Sequence, residues 1–326
     1  MRPESSTVAL RRDLTQVANE FDASAAALMF IGLSVLPVMR VGEESAKYPT
    51  ITRESIKKAE SDARGANGAY NRITGEFGEG IYACEEHGLE YRIDDKMRKR
   101  YASFIDAEQA ATRILRYKHR LLHEKRVAAA TLNATTVFTQ NAPVTVWSTF
   151  ATATPLVDLG AGMAALEDNT GMPRAMLSLI IPQTDKTEML ATTEVNDKIK
   201  YTYGGGNGGI QPWQISNAQI AAMLGIKQVL VAASSYDSKE EGYAETNTKI
   251  WTAGRVMLAY LAEGENAPLE MPQLGRTMLW TADAPAFPVM ESYREDQTRG
   301  DILRIRDNTD EVLVAAANLA SYVVTT

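Results

Sequence analysis

The sequence predicts an α+β protein. Three observations carry that reading: a long capped helical stretch from Asp106 to Leu132, helix and strand signals in alternation between about residues 150 and 280, and strand signals from Asp301 onward. The 326 residues are 45% hydrophobic and 23% charged, which is apolar material for one large core or two modest ones and excludes fibrous, collagenous and wholly disordered chains. Charge narrows the field further. With 34 Lys and Arg against 41 Asp and Glu the net charge is -7, so the chain lacks the basic excess with which proteins grip phosphates, and any DNA contact is expected to be local or weak. Cys84, the single cysteine, excludes an internal disulfide and fits a protein made in reducing cytoplasm.

Residues 1 to about 40 read as an arm. Its start carries acid among polar residues and runs into Arg11-Arg12-Asp13, unlike the basic flank and apolar core of a secretory signal. Leu10, Leu14, Val17 and Phe21 then sit at helical spacing. The apolar run Ala23 to Met39 is interrupted by Ser24, Gly32, Ser34 and Pro37, and it falls short of the roughly twenty apolar residues of a membrane span. It is expected to be buried or packed on a partner. Lys47 to Arg53 alternates like a strand, a polar glycine-bearing stretch follows through Ser61 to Gly68, and strand material returns at Ile81 to His87 and Leu89 to Ile93. Two strand runs around a core-poor middle predict an extended β-hairpin that packs on something else.

The long helix follows. Asp106 with Gln109 three residues on has the form of an N-cap with its reciprocal partner, and Asn133 is a stop. Ala111, Ile114, Leu115, Leu121, Leu122, Ala128, Ala129 and Leu132 mark its apolar stripe. The 27 residues from Asp106 to Leu132 make a rod of roughly 40 Å at about 1.5 Å each. The opposite face holds Arg113, Arg116, Lys118, Arg120, Lys125 and Arg126 against Glu124 alone, which suits either a solvated surface or one that meets acidic neighbours or a polyanion. Beyond it, Thr154-Pro155 opens a helix that ends by Gly171, and Ala175 to Ile181 is an apolar run stopped by Pro182. Ser216 with Gln219 caps a helix that closes at Gly225, and Gln228 to Ala232 and Val256 to Leu261 read as buried strands. The end reads as a β-meander: Asp301 to Ile305, a turn at Asp307 to Asp310, Glu311 to Val314, and Tyr322 to Val324.

Catalytic constellations are missing from this pattern. Gly204 to Gly209 is rich in glycine, but a phosphate-binding loop needs Lys and Ser or Thr after its last Gly, and here Ile210-Gln211-Pro212 follows. His119 and His123 have a metal-binding spacing on the helix, yet they stand among Arg116, Lys118, Arg120, Lys125 and Arg126, whose field repels a divalent cation. Cys84 and His87 lack a second pair of ligands. No nucleophile elbow occurs, and Asp94-Asp95 precedes a basic helix where acids favour the dipole, so the pair reads as capping. Neither catalytic, cofactor-binding nor metal-binding residues are expected, and the protein is not expected to be an enzyme.

One stretch carries a family resemblance. The run Tyr82-Ala83-Cys84-Glu85-Glu86-His87-Gly88-Leu89-Glu90-Tyr91-Arg92-Ile93-Asp94-Asp95, then a short basic helix and the long helix with Glu124 and Arg126, resembles the major capsid proteins of tailed bacteriophages with the Hong Kong 97 fold. Leu224 to Val231 is similar to the segment before the axial-domain strand of such coats, and Arg299 to Ile305 to their late peripheral-domain strand. The resemblance implies an N-terminal arm (1–44), an extended β-hairpin loop (45–93), a peripheral domain with a long spine helix (94–154 and 286–326) and an axial α/β domain (155–285). Within the peripheral domain, Ile114, Leu115, Leu121 and Leu122 are expected to pack on the strands holding Ile302, Ile305, Leu313 and Val323.

The same resemblance implies a function. It is that of a coat protein which self-assembles as pentamers and hexamers into an icosahedral head around double-stranded DNA, found in the virion and in the host cytoplasm during assembly. Implied partners are other copies of itself, a portal, a decoration protein and packaged DNA held weakly and without sequence specificity; no membrane is implied. The chain starts at Met1 without a long coiled-coil leader, so a separate scaffolding protein is expected, unlike relatives with a fused and cleaved scaffold. The family's type member cross-links its subunits through a loop lysine, an asparagine and a catalytic glutamate. Here Lys47, Lys57 and Lys58 are the loop lysines and nothing marks any of them as buried beside a carboxylate, so a non-covalent shell is expected. An encapsulin-like nanocompartment shell is the alternative on the same fold, and a soluble α/β enzyme the alternative outside it.

Overall fold

Asp106 starts the longest helix by accepting the backbone N–H groups of Glu108 (3.0 Å) and Gln109 (3.3 Å), two of the donors that a helix start leaves without partners. The fold is arranged around this rod in the computed structural model. The structure describes residues 9–22, 29–51, 77–101, 106–203, 214–240, 242–264, 271–297, 299–314 and 320–326, with 62–64, 68–70, 72 and 269.

Numbered along the chain, the arm supplies β1 (Ala9–Leu10), α1 (Arg12–Asp22), α2 (Gly32–Val35) and β2 (Val38–Val41). A hairpin of β3 (Ser45–Ile51) and β4 (Phe77–Ala83) is followed by β5 (Glu85–Asp94), α3 (Asp95–Tyr101) and the long helix α4 (Ala107–Ala130). Next come β6 (Gln140–Asn141), α5 (Pro155–Thr170), β7 (Leu177–Pro182), α6 (Gln183–Ala191), α7 (Thr193–Tyr203), α8 (Asn217–Leu224) and β8 (Gln228–Ala232). The remainder is strand: β9 (Ser235–Asp237), β10 (Asn247–Lys249), β11 (Arg255–Tyr260), β12 (Gly275–Trp280), β13 (Val289–Glu295), β14 (Gly300–Leu313) and β15 (Ser321–Thr325).

Two large sheets carry the cores. The first has the order β6-β15-β11-β7-β8, and successive side chains on its strands enter different clusters because strand residues alternate faces. Leu179, Ile181, Val256, Leu258 and Val324 face α5, α7 and α8, whereas Ile180, Met257, Ala259 and Val323 face the C-terminal half of α4 and the turn after it through Val127, Ala128 and Leu132. A sheet covered on both faces needs apolar residues at every position, which is why β7 is buried throughout. The capping signals of this region are realised: Ser216 and Gln219 form a reciprocal capping box on α8, and Gly171 and Gly225 end α5 and α8 in left-handed conformation.

The second sheet runs β1-β13-β14-β12-β2, with β5 pairing along β14 from Gly300–Asp94 to Thr309–Glu85. Leu14 of α1, Ile93, Leu115, Met290, Leu303 and Ile305 form its core against the N-terminal half of α4. Each fully buried leucine contributes about 1.5–3 kcal/mol by leaving water, so the rod is fixed by apolar contact at both ends.

Four expectations need correction. The turn at Asp307 to Asp310 does not form, because β14 is one unbroken strand whose backbone groups are satisfied by β5 and β12 on either side. Val323 lies in the first sheet, on β15 between β6 and β11, not beside Ile302 and Ile305. The extended hairpin closes at Ala83: β3 pairs with β4 from Ser45–Ala83 to Ile51–Phe77, while β5 departs into the second sheet. The stripe on α4 is also displaced. Ile114 and Leu122 are 43% and 39% exposed and Ala129 is exposed, whereas Thr112, Arg116, His119, Arg120, His123, Glu124 and Val127 are buried at the same three-to-four spacing. The helix is wedged between the arm and an acidic strand, so these polar side chains leave solvent together with Leu115, Val127 and Ala128. The tip of the expected loop and the glycine run Gly204 to Gly209 lie outside the described residues.

Candidate functional site

The side chains with chemical potential are used structurally. Among the described residues, no group of three or more His, Cys, Asp or Glu is placed to hold a metal ion. Cys84 is buried, its thiol 3.7 Å from the Met278 carbonyl oxygen, and burial pushes it up to about 11, far from the thiolate that reactivity requires. Asp94 accepts the Lys96 N–H at 2.8 Å and Asp95 pairs with Arg294 at 2.7 Å, so the two acids cap and anchor α3. His119 and His123 face acids of β14. His119 Nε2 is 2.8 Å from Asp307 Oδ2, and His123 Nε2 is 3.7 Å from Glu311 Oε1. Burial pushes both imidazoles down, against the pull of Asp307 in the case of His119.

The six basic residues of α4 divide into two kinds. Arg113 and Lys118 are exposed; Lys125 lies over the Tyr236 ring at 3.9 Å. Arg116 and Arg120 are buried, and Arg126 binds Glu311 through Nε at 3.0 Å. The field that repels a divalent cation is therefore compensated by β14, which sequence spacing cannot show.

Glu124, in the sequence a lone acid among bases, is the joint of the molecule. Its Oε1 accepts the N–H of Ile31 (3.0 Å) and the indole N–H of Trp251 (2.6 Å), its Oε2 the N–H of Gly32 (2.6 Å). Ser234 Oγ adds a contact at 3.5 Å. Burial pushes the carboxyl up even though three donors favour its charged form. One side chain thus ties the arm and the Trp251 loop to the spine. Its isolation among six bases was the signal that could have found it.

The surface suited to intermolecular contact is the β3–β4 hairpin. Tyr48 and Tyr82 pack together beneath it at 6.5 Å and reach the second sheet through Met278 and Val314, which fixes its base. Ile81 on its outer side is 67% exposed, and Lys47 and Glu79 pair at 2.8 Å in the open. Lys47 therefore has no buried carboxylate beside it, while Lys57 and Lys58 lie outside the described residues. No helix among the described residues is long and apolar enough to cross a membrane.

Known proteins share this arrangement. The sequence is 26% identical over 275 residues to the major capsid protein of Burkholderia phage BcepMu, covering 82% of each chain. A phage-related protein from Bordetella bronchiseptica RB50 has a similar structure, with a TM-score of 0.71 at 16% identity over 98% of both chains. The capsid of cyanophage P-SCSP1u matches at 0.57 and 11% identity, over 89% of this chain and 86% of the other. No family model matches the chain. The match to a phage coat sequence and the fold shared with phage capsids make the spine, hairpin and two-sheet plan of this chain similar to that of phage major capsid proteins, and the fold is of the Hong Kong 97 type.

Proposed function

We propose that this structural, non-enzymatic virion protein builds its shell as pentamers and hexamers into an icosahedral head around double-stranded DNA, after assembly in the host cytoplasm with a separate scaffolding protein and a portal. The observation that carries the reading is the β3–β4 hairpin, which is anchored at its base by Tyr48 and Tyr82 yet presents Ile81 to solvent in the single subunit. An apolar side chain on an outlying ribbon favours a neighbour that covers it. The net charge of -7 favours a wall along which packaged DNA slides, with weak contacts that carry no sequence preference. The sequence match to a phage coat weighs against the nanocompartment alternative.

The division into arm (1–44), extended loop (45–93), peripheral domain (94–154 and 286–326) and axial domain (155–285) is proposed with two adjustments that strand pairing favours. β5 goes with the peripheral sheet, and β15 with the axial one. Expression of the full chain with candidate scaffolding partners, followed by negative-stain microscopy, tests the assembly reading. Closed shells are expected; a monomer at all concentrations would overturn it.

A further inference from the structure

All three histidines of the chain meet at one place, where α4 crosses the second sheet. His87 on β5 is the cross-strand partner of Asp307 on β14. His119 reaches Asp307 at 2.8 Å from the helix, and His123 lies 3.4 Å from Thr277 Oγ1 and 3.7 Å from Glu311. The Phe287 ring seals the cluster, 5.7 Å from the His119 ring and 5.5 Å from that of His123. Asp307 is fully buried, and the helix holds on to this strand by the pairs His119–Asp307 and Arg126–Glu311.

We propose that this cluster is a proton-operated clamp: with neutral histidines it holds the spine helix on β14 and β5 through the pairs His119–Asp307 and Arg126–Glu311, and proton uptake on mild acidification releases it. The charges around it set the direction. From α4 it is faced by Arg116, Arg120, Arg126 and Glu124, the last engaged by Ile31, Gly32 and Trp251, from β5 by Glu85, from β14 by Asp307, Asp310 and Glu311; α2 contributes the uncharged Gly32, β12 the uncharged Thr277 and the segment before β13 the Phe287 ring. Three arginines already stand there, and the nearby carboxylates of Glu124 and Glu311 are engaged by other donors, so a proton on His123 adds repulsion. Burial moves all three imidazoles down and Glu311 up. The sign then follows. Stability contributed by the histidines is present above their ordinary value of about 6.5 and is lost as pH falls through their lowered folded values. Glu311 has the opposite sign globally, since protonation relieves its burial, but it strips Arg126 of its counter-charge locally. The two effects oppose each other in global stability and reinforce each other at the clamp. Because only Cys84 separates the hairpin from β5, release of the clamp loosens the base on which the hairpin stands.

Hydrogen exchange of the full-length unassembled chain tests the clamp. Between about pH 7.5 and 5.5, after correction for intrinsic rates, protection in 85–94 and 300–309 should drop on the order of tenfold, one proton's worth of linkage per pH unit, while 177–182 and 255–260 keep theirs. His87→Gln and His119→Gln should each flatten that response. An equal loss in both sheets, or an unaltered acid response in the two variants, would overturn the proposal. Labelled-histidine NMR of the unsubstituted chain is independent of how the variants fold: the His119 and His123 rings should stay neutral well below pH 6.5, and titration of both at about that ordinary value would sink the idea.

Discussion

Glu124 shows how much of this fold can rest on one side chain. Three N–H donors from the arm and the Trp251 loop converge on a carboxylate that the long helix holds in place, and a Cβ at Gly32 would lie 2.7 Å from its Oε2, so the approach requires glycine there. Glu124→Gln keeps the shape but turns an amide N–H₂ toward donors, and should lower stability by about 1–3 kcal/mol, with Glu124→Leu costing more because it leaves every donor unpaired. Urea unfolding of the unassembled subunit measures both; a neutral Leu variant would show that the donors find water instead. The faces of the same helix give a sharper contrast. Leu115→Ala should cost about 2–5 kcal/mol through lost transfer energy and a cavity, while Lys118→Ala and Ile114→Ala should stay within about 0.5–1 kcal/mol because both side chains are exposed. Equal losses at all three would mean that the helix is rotated. At this scale the sequence disclosed the caps, since Asp106, Ser216, Gly171 and Gly225 act locally. It did not disclose the burial of Arg116, Arg120, His119 and His123, because the acids that make it tolerable, Asp307 and Glu311, lie almost two hundred residues away.

Elements with their own signals were legible to within a residue or two. The strand read at Gln228 to Ala232 is β8 without change, and the helix from Pro155 stops where Gly171 stops it. What misled was pairing. Asp307-Asn308-Thr309-Asp310 has turn composition, yet neighbours on both edges hold it extended, so tertiary hydrogen bonding overrode local preference. The hairpin was visible as two strand runs, but which later run closes it depends on Tyr48 lying across Gly80, where a Cβ would come within 2.2 Å of the ring. Gly80→Val should accordingly disturb the base of the hairpin. Deletion of Ser61 to Tyr70 should leave a folded subunit, with circular dichroism and unfolding close to the parent chain, but prevent closed shells. Normal particles from that deletion would show that the hairpin is not an assembly element.

For the whole molecule, the resemblance named the fold and the coat function before any coordinates, and the physical pattern alone reached α+β with a core-poor excursion. Shell chemistry follows from what surrounds Lys47. Its side chain pairs in the open with Glu79, with no buried carboxylate beside it, so particles boiled in denaturing detergent should run as single chains on a gel. Ladders of linked subunits would refute a non-covalent shell. The order of strands also sets a timetable. β14 lies inside one sheet, with β5 along one edge and β13 and β12 in succession along the other, and β15 lies inside the other sheet, between β6 and β11. Both strands come from residues 300–325, so the second sheet lacks the strand on which β5, β12 and β13 pair until that stretch has left the ribosome, whereas β7, β8 and β11 of the first sheet are complete by Tyr260. Synthesis therefore exposes the strands and helices of the first sheet early and leaves the second sheet, with the strand that β5 pairs along, to the end. The hairpin stands beside the part of the fold that is finished last, so a neighbour that docks on its base meets it only on a finished subunit.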